Sequence, residues 1–237
     1  MSSESVSIER NGRVMVVHLD DGKVNALSAA SIAAVRAAVS EAERDESVGA
    51  VVLHGREGKF CAGFDLTVMR GGDLTAMSSL VSDGGELVRH LYGSSVPVVA
   101  ACTGHALAAG ALVLLGCDVR IGADADCKIG LNEVAIGMVL PAWALTIAAE
   151  RLSRRHLQRS VATAEVTAAR SAIDVGFLDE VVQPEAVLST AIQRAEALAG
   201  LDGRAYAGTV RALRGHVLQT MDAQIARDRA AGSVPTV

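Results

Sequence analysis

Aromatic residues are scarce in this chain: one Trp, two Tyr and three Phe make up 3% of 237 residues, although half of the residues are hydrophobic. A core with so few rings is filled by aliphatic and small side chains, and the abundant Ala fits helices lying close against a sheet or another subunit. Basic clusters are missing too. With 22 Lys and Arg against 27 Asp and Glu the net charge is −5, and no basic stripe offers the surface that nucleic acid requires. Cys61, Cys102, Cys117 and Cys127 stand in apolar or small-residue settings, with neither metal-ligand spacing nor a small-domain disulfide pattern. Reduced thiols in a cytoplasm, and no metal, are expected. The opening MSSESVSIER does not read as a secretory signal. The uncharged run from Val96 to Cys117 raises the question of a membrane span, but Pro97, Thr103, Gly104 and His105 interrupt it, and a buried strand followed by a buried helix explains the same letters. No Ser/His/Asp order with a nucleophile elbow and no phosphate loop is found.

What is present reads as an α/β chain. Val6–Glu9 and Val14–Leu19 flank Asn11-Gly12, a strong hairpin signal. Ser28 caps a helix to about Arg44 with Ile32, Val35 and Val39 on one face. Val48–Leu53 is a buried strand, and Gly55–Gly58 an exposed turn. A helix over Leu74–Leu91 is expected to be interrupted at Gly84-Gly85, glycines that hint at mobility. Val96–Cys102 is a strand, Thr103-Gly104-His105 a tight turn, and Ala106–Gly110 the small-residue opening of a helix. Val119–Ile121 and Cys127–Ile129 follow as short strands, then helices over Ala142–Arg151, Leu157–Thr163 and Thr167–Ile173 with Gly176 as a stop. Phe177–Val182 is extended, and helices run over Glu185–Leu201 and Ala205–Ala231. Small residues at a helix start let a ligand approach amides that lack intrahelical partners, which suits a developing oxyanion. Cys61-Ala62-Gly63-Phe64-Asp65 has the same logic, a glycine letting the backbone present one further amide.

Four blocks in order, Asp21-Gly22-Lys23-Val24-Asn25-Ala26-Leu27, FCAGFDL, TGHALAAG and IGLNEVAIGMVLP, resemble the enoyl-CoA hydratase/isomerase, or crotonase, family. The resemblance covers about residues 5 to 200 and implies a crotonase (ClpP-like) spiral of ββα units over 1–183 and a C-terminal helical region over 184–237. That region would serve trimerisation and pocket closure, with assembly as a trimer or dimer of trimers. The implied substrate is an acyl-CoA thioester of fatty-acid metabolism, so that coenzyme A belongs to the substrate and no separate cofactor is needed. Lys23, Val24, Ala26, Ala62, Gly63, Asp65 and Leu66 would line the coenzyme A groove, with Lys23 placed for a phosphate. The backbone N–H groups of Phe64 and Ala109 would form the oxyanion hole, although the family usually has glycine where Ala109 stands. Leu112, Met138, Pro141 and Trp143 would line the acyl pocket.

Glu133 is the expected catalytic residue. It precedes an apolar segment, Val134–Pro141, able to desolvate it and raise its proton affinity toward working pH. The informative departure is Leu112, because family members that add water to a double bond carry a second glutamate at the matching position. Leucine neither binds that water nor transfers a proton. One carboxylate suffices to take a proton from C2 of a 3-enoyl thioester and return it at C4, and Pro141-Ala142-Trp143 also resembles the 3,2-enoyl-CoA isomerase branch. The alternatives are an enoyl-CoA hydratase and a non-catalytic acyl-CoA binding protein. Asp65 and His105 read as structural groups.

Overall fold

The computed structural model describes residues 5–232. Its opening hairpin follows from Asn11-Gly12: β1 (Val6–Asn11) pairs antiparallel with β2 (Val14–Leu19), and Gly12 takes φ +56° at the turn. Helix α1 (Ala29–Arg44) begins at Ser28, whose hydroxyl accepts from the Ser31 amide while the Ser31 hydroxyl accepts from the Ser28 amide. Ile32, Val35 and Val39 face the core as their spacing predicts.

The chain then repeats a strand, a second strand and a helix. First come β3 (Ala50–Gly55), β4 (Gly58–Cys61), the short α2 (Leu66–Met69) and α3 (Leu74–Tyr92). Next are β5 (Val98–Cys102), β6 (Gly104–Leu107) and α4 (Ala109–Gly116). The third unit is β7 (Val119–Ala123), β8 (Ile129–Gly130) and α5 (Ala142–Arg151). After α6 (Arg154–Val161) and α7 (Ala169–Val175) come β9 (Glu180–Val182), α8 (Val187–Ala199) and α9 (Gly203–Ala231). The first strands of the units join a six-stranded sheet, β1-β2-β3-β5-β7-β9, parallel after its first pair, and the second strands form a separate parallel sheet, β4-β6-β8. This is the expected spiral of ββα units.

Because the large sheet is covered on both faces, its strands read as continuous aliphatic runs such as Ala50–Leu53 and Val98–Cys102. One face packs on α1, α3 and α4. The other, through Val16, Val52, Val99 and Ala101, packs on the Ala191–Ala199 side of α8.

Three expectations are corrected. Helix α3 is not interrupted at Gly84-Gly85. Both glycines stand where rings press on the helix rather than where it breaks, because an added Cβ would lie 2.4 Å from the Phe64 ring at Gly84 and 2.9 Å from the Trp143 ring at Gly85. The supposed turn and helix start over Thr103–Gly110 contain a further strand, β6, and the helix begins only at Ala109. Gly104 lies so close to β4 that a Cβ would sit 2.1 Å from the Gly58 carbonyl oxygen, which is what lets the small sheet form there. Likewise Gly55 ends β3 as a buried residue and Gly58 opens β4, leaving only Arg56 and Glu57 for the turn. Elsewhere bounds move by a few residues, as helix ends without a strong cap do.

Candidate active site

Strand β4 delivers the chain to Ala62-Gly63-Phe64. Gly63 adopts φ +97°, a conformation costly for other residues. The Leu27 amide donates to the Gly63 carbonyl (2.8 Å) and the Asp65 amide donates to the Leu27 carbonyl (3.0 Å). In such a parallel bridge the groups of the intervening residue point the other way, so the Phe64 N–H faces away from Leu27. No acceptor among the described residues takes it.

Helix α4 supplies the second amide. Ala108 is turned to φ +50° and its carbonyl accepts from both the Ala111 and Leu112 amides, opening the helix sharply. Ala109, the first helical residue, has no intrahelical acceptor for its N–H. Gly110 allows the helix to start against β4, since a Cβ there would sit 2.1 Å from the Cys61 carbonyl oxygen. At Gly63 the same construction meets Ala108 Cβ at 3.1 Å and the Ala109 nitrogen at 3.7 Å. The two amide-bearing segments therefore lie side by side.

Glu133 follows β8 in the third unit and is 7% exposed. Its Oε2 is buried without a hydrogen-bond partner, and burial pushes the carboxyl up to about 7 from its ordinary value of 4.5. A carboxyl in that state can take a proton and give it back near neutral pH. It lines a cavity of about 170 Å³ whose walls are otherwise mainly apolar. Leu112 from α4 and Trp143 from α5, both buried, join Phe64, Met138 and Pro141 on those walls. Glu133 is the one acidic residue among the described residues that line it.

An open groove of about 440 Å³ adjoins this cavity, Ala62, Phe64 and Leu66 being common to both. It is lined by Lys23, Val24, Ala26, Asp65 and Thr67. Of the groove residues expected from the sequence, Gly63 alone contributes no lining and instead shapes the backbone. The Asp21–Leu27 segment is held in place by Asn25, whose Nδ2 donates to the carbonyls of Leu19 (2.7 Å), Lys59 and Phe60 (both 3.2 Å). The Asp21 carboxylate accepts from the amides of Lys23, Asn25 and Ala26. Burial alone would raise its pKa, but these three donors outweigh it and hold the group below the usual range.

Asp65 caps α2 by accepting from the Thr67 amide (2.8 Å), and His105 Nδ1 accepts from the Lys128 amide (3.0 Å), so both serve the backbone, as the sequence suggests. Sequence reading missed Met69, Arg70, Val81, Leu107, Ala108, Asn132, Ile136 and Val139 on the cavity wall. Helical spacing after Leu66 was the available signal for Met69 and Arg70. Nothing local marks Val81, which reaches the cavity only because α3 packs across it.

Residues 9–233 match the family model described as enoyl-CoA hydratase/isomerase. Among curated relatives, the mitochondrial enoyl-CoA delta isomerase 1 of Homo sapiens is 34% identical over 182 residues, 76% of this chain. The match spans 60% of that relative's length, less than two-thirds of it. The short-chain-enoyl-CoA hydratase of Clostridium acetobutylicum is 30% identical over 194 residues, 81% of this chain and 74% of that protein. Among solved structures, the apo enoyl-CoA isomerase of Mycobacterium tuberculosis superposes with a TM-score of 0.90 at 39% identity, covering 96% of this chain and 98% of that one. Isomerases and hydratases thus both stand among the relatives.

Proposed function

The chain belongs to the enoyl-CoA hydratase/isomerase family, and from that premise we propose that it converts 3-enoyl-CoA to 2-enoyl-CoA with Glu133 as its single proton carrier. The observation that carries this reading is the cavity wall itself: one buried, unpartnered carboxyl, and on the same wall Leu112, at the position that the resemblance matches to the second glutamate of water-adding family members. In the proposed reaction the ionised Glu133 removes a proton from C2. The electron pair moves toward the thioester carbonyl, whose oxygen gains charge and is received by the Phe64 and Ala109 amides. Protonated Glu133 then delivers its proton to C4 as the double bond settles between C2 and C3. Leu112 and the other apolar walls keep water from the dienolate. Lys23, Val24, Ala26, Ala62, Asp65 and Leu66 are assigned to the coenzyme A portion, with Gly63 shaping the loop.

The test is a panel of 2-enoyl and 3-enoyl thioesters. The reading expects clear turnover of 3-enoyl-CoA and weak hydration of crotonyl-CoA. Rapid hydration with no isomerisation would make the chain a hydratase, the activity carried by its clostridial relative. Tight acyl-CoA binding with no turnover of either class would make it a binding protein. Assembly as a trimer or dimer of trimers belongs to the same proposal, and a monomeric mass in solution would remove it.

A further inference from the structure

Two successive glycines inside a helix weaken it, since each adds chain entropy and forgoes a packing side chain. In α3, Gly84 and Gly85 are nonetheless buried and helical. Each receives an aromatic ring. A Cβ at Gly84 would lie 2.4 Å from Phe64 Cε1, and one at Gly85 would lie 2.9 Å from Trp143 Cε2 and 3.0 Å from Ile225 Cγ1. Both rings line the cavity that holds Glu133. Trp143 has no exposed surface and meets α3 at Gly85, where Ile225 of α9 also approaches, whereas Leu66, Ile136 and Val139, also on the wall, are exposed. The exposed residues mark the mouth and Trp143 the inner end.

We infer that the Gly84-Gly85 seat, with Trp143 resting on it as the floor, sets how long an acyl group the site accepts, and that the substrates are short-chain thioesters of about six acyl carbons. The size follows from the volume. An apolar cavity of about 150 Å³ takes benzene, six carbons, and this one measures about 170 Å³. The inference rests on the acyl-CoA reading of the site given above, but it concerns binding depth and not the proton transfer. Trp143 and Ile225 both crowd the Gly85 position, at 2.9 and 3.0 Å from a Cβ placed there, so the ring has α3 and α9 close around it.

The experiment measures binding of saturated acyl-CoAs from C4 to C12 by calorimetry, which needs no turnover, alongside kcat/KM for the matching 3-enoyl thioesters. For the native chain, affinity is expected to peak near C6, with C12 at least tenfold weaker, since pocket contacts discriminate by about 10- to 200-fold per methylene. Trp143→Ala deepens the cavity and is expected to improve C10 relative to C6 by tenfold or more. Gly84→Ala and Gly85→Ala push the rings inward and are expected to weaken C6 relative to C4 by a similar factor. Trp143→Phe, a smaller change, shifts the optimum in the same direction as Trp143→Ala and stands in for it if that variant does not fold. Native protein that binds C12 as tightly as C6 would overturn the inference, as would folded Trp and Gly variants with an unchanged length profile. A length profile that behaves as expected without turnover of any enoyl thioester sinks the isomerase reading alone.

Discussion

Glu133 retains its proton to about pH 7 because burial raises the free energy of its charge. The unfolded chain releases that proton near 4.5, so between these values the native state binds more protons than the unfolded state and stability falls as pH rises. Glu133→Gln removes that cost. In thermal melts the variant is expected to be more stable than native protein at pH 8, by up to roughly 3 kcal/mol, and nearly equal to it at pH 4. Its turnover of 3-enoyl-CoA should fall by about 100- to 10,000-fold with acyl-CoA binding almost unchanged. Native kcat, which needs the ionised form to start, should decline as pH drops below about 7. Leu112→Glu brings a second carboxyl to the same wall. It is expected to cost stability, since a carboxyl is buried there, while raising crotonyl-CoA hydration at least tenfold. A folded variant without that gain would refute the role given to Leu112.

Among the elements, α4 has the tightest placement. Its first turn is pressed on β4 at Gly110 and opens from the left-handed Ala108, so the Ala109 amide has little freedom. Gly110→Ala must push the helix from the Cys61 carbonyl. Displacing a catalytic group by about 1 Å costs on the order of 100-fold in rate, and kcat is expected to fall by that order while far-ultraviolet circular dichroism stays native. A variant with native kcat would show that α4 does not need this close approach. In α3 the two glycines do not interrupt the helix for a physical reason: glycine weakens an isolated helix and also admits close neighbours, and only the neighbours decide which applies.

At the scale of the whole molecule, α9 is fastened across α3 and α5. Arg214 donates to Asp118 (2.7 Å) and to the Tyr92 carbonyl (2.8 Å) and stacks on the Tyr92 ring at 4.6 Å. Arg89 pairs with Asp222, and Arg229 with Asp83 and Glu86. The Arg214–Asp118 side chains are only 12% and 11% exposed, so Arg214→Ala takes the counter-charge from a buried carboxylate that keeps the Val98 amide and the Tyr206 hydroxyl as donors. It should destabilise the chain by about 3–5 kcal/mol, lowering Tm by roughly 10 °C. Arg159→Ala, which breaks the exposed pair with Glu165, should cost no more than about 1 kcal/mol. Equal shifts in the two melts would show that burial does not govern these pairs.

Determined by the sequence alone were the opening hairpin, the Ser28 cap and the alternation of strands and helices. Each depends on residue type and near neighbours, which a linear string carries. The tertiary structure alone decided that β6 intervenes before α4, that the Phe64 and Ala109 amides lie in adjacent segments without acceptors, that Glu133 is desolvated, and that Gly84 and Gly85 seat two rings. These are properties of surroundings: a dielectric environment, a missing acceptor and a space of a given size are made by segments distant along the chain, and they exist only once the spiral has closed.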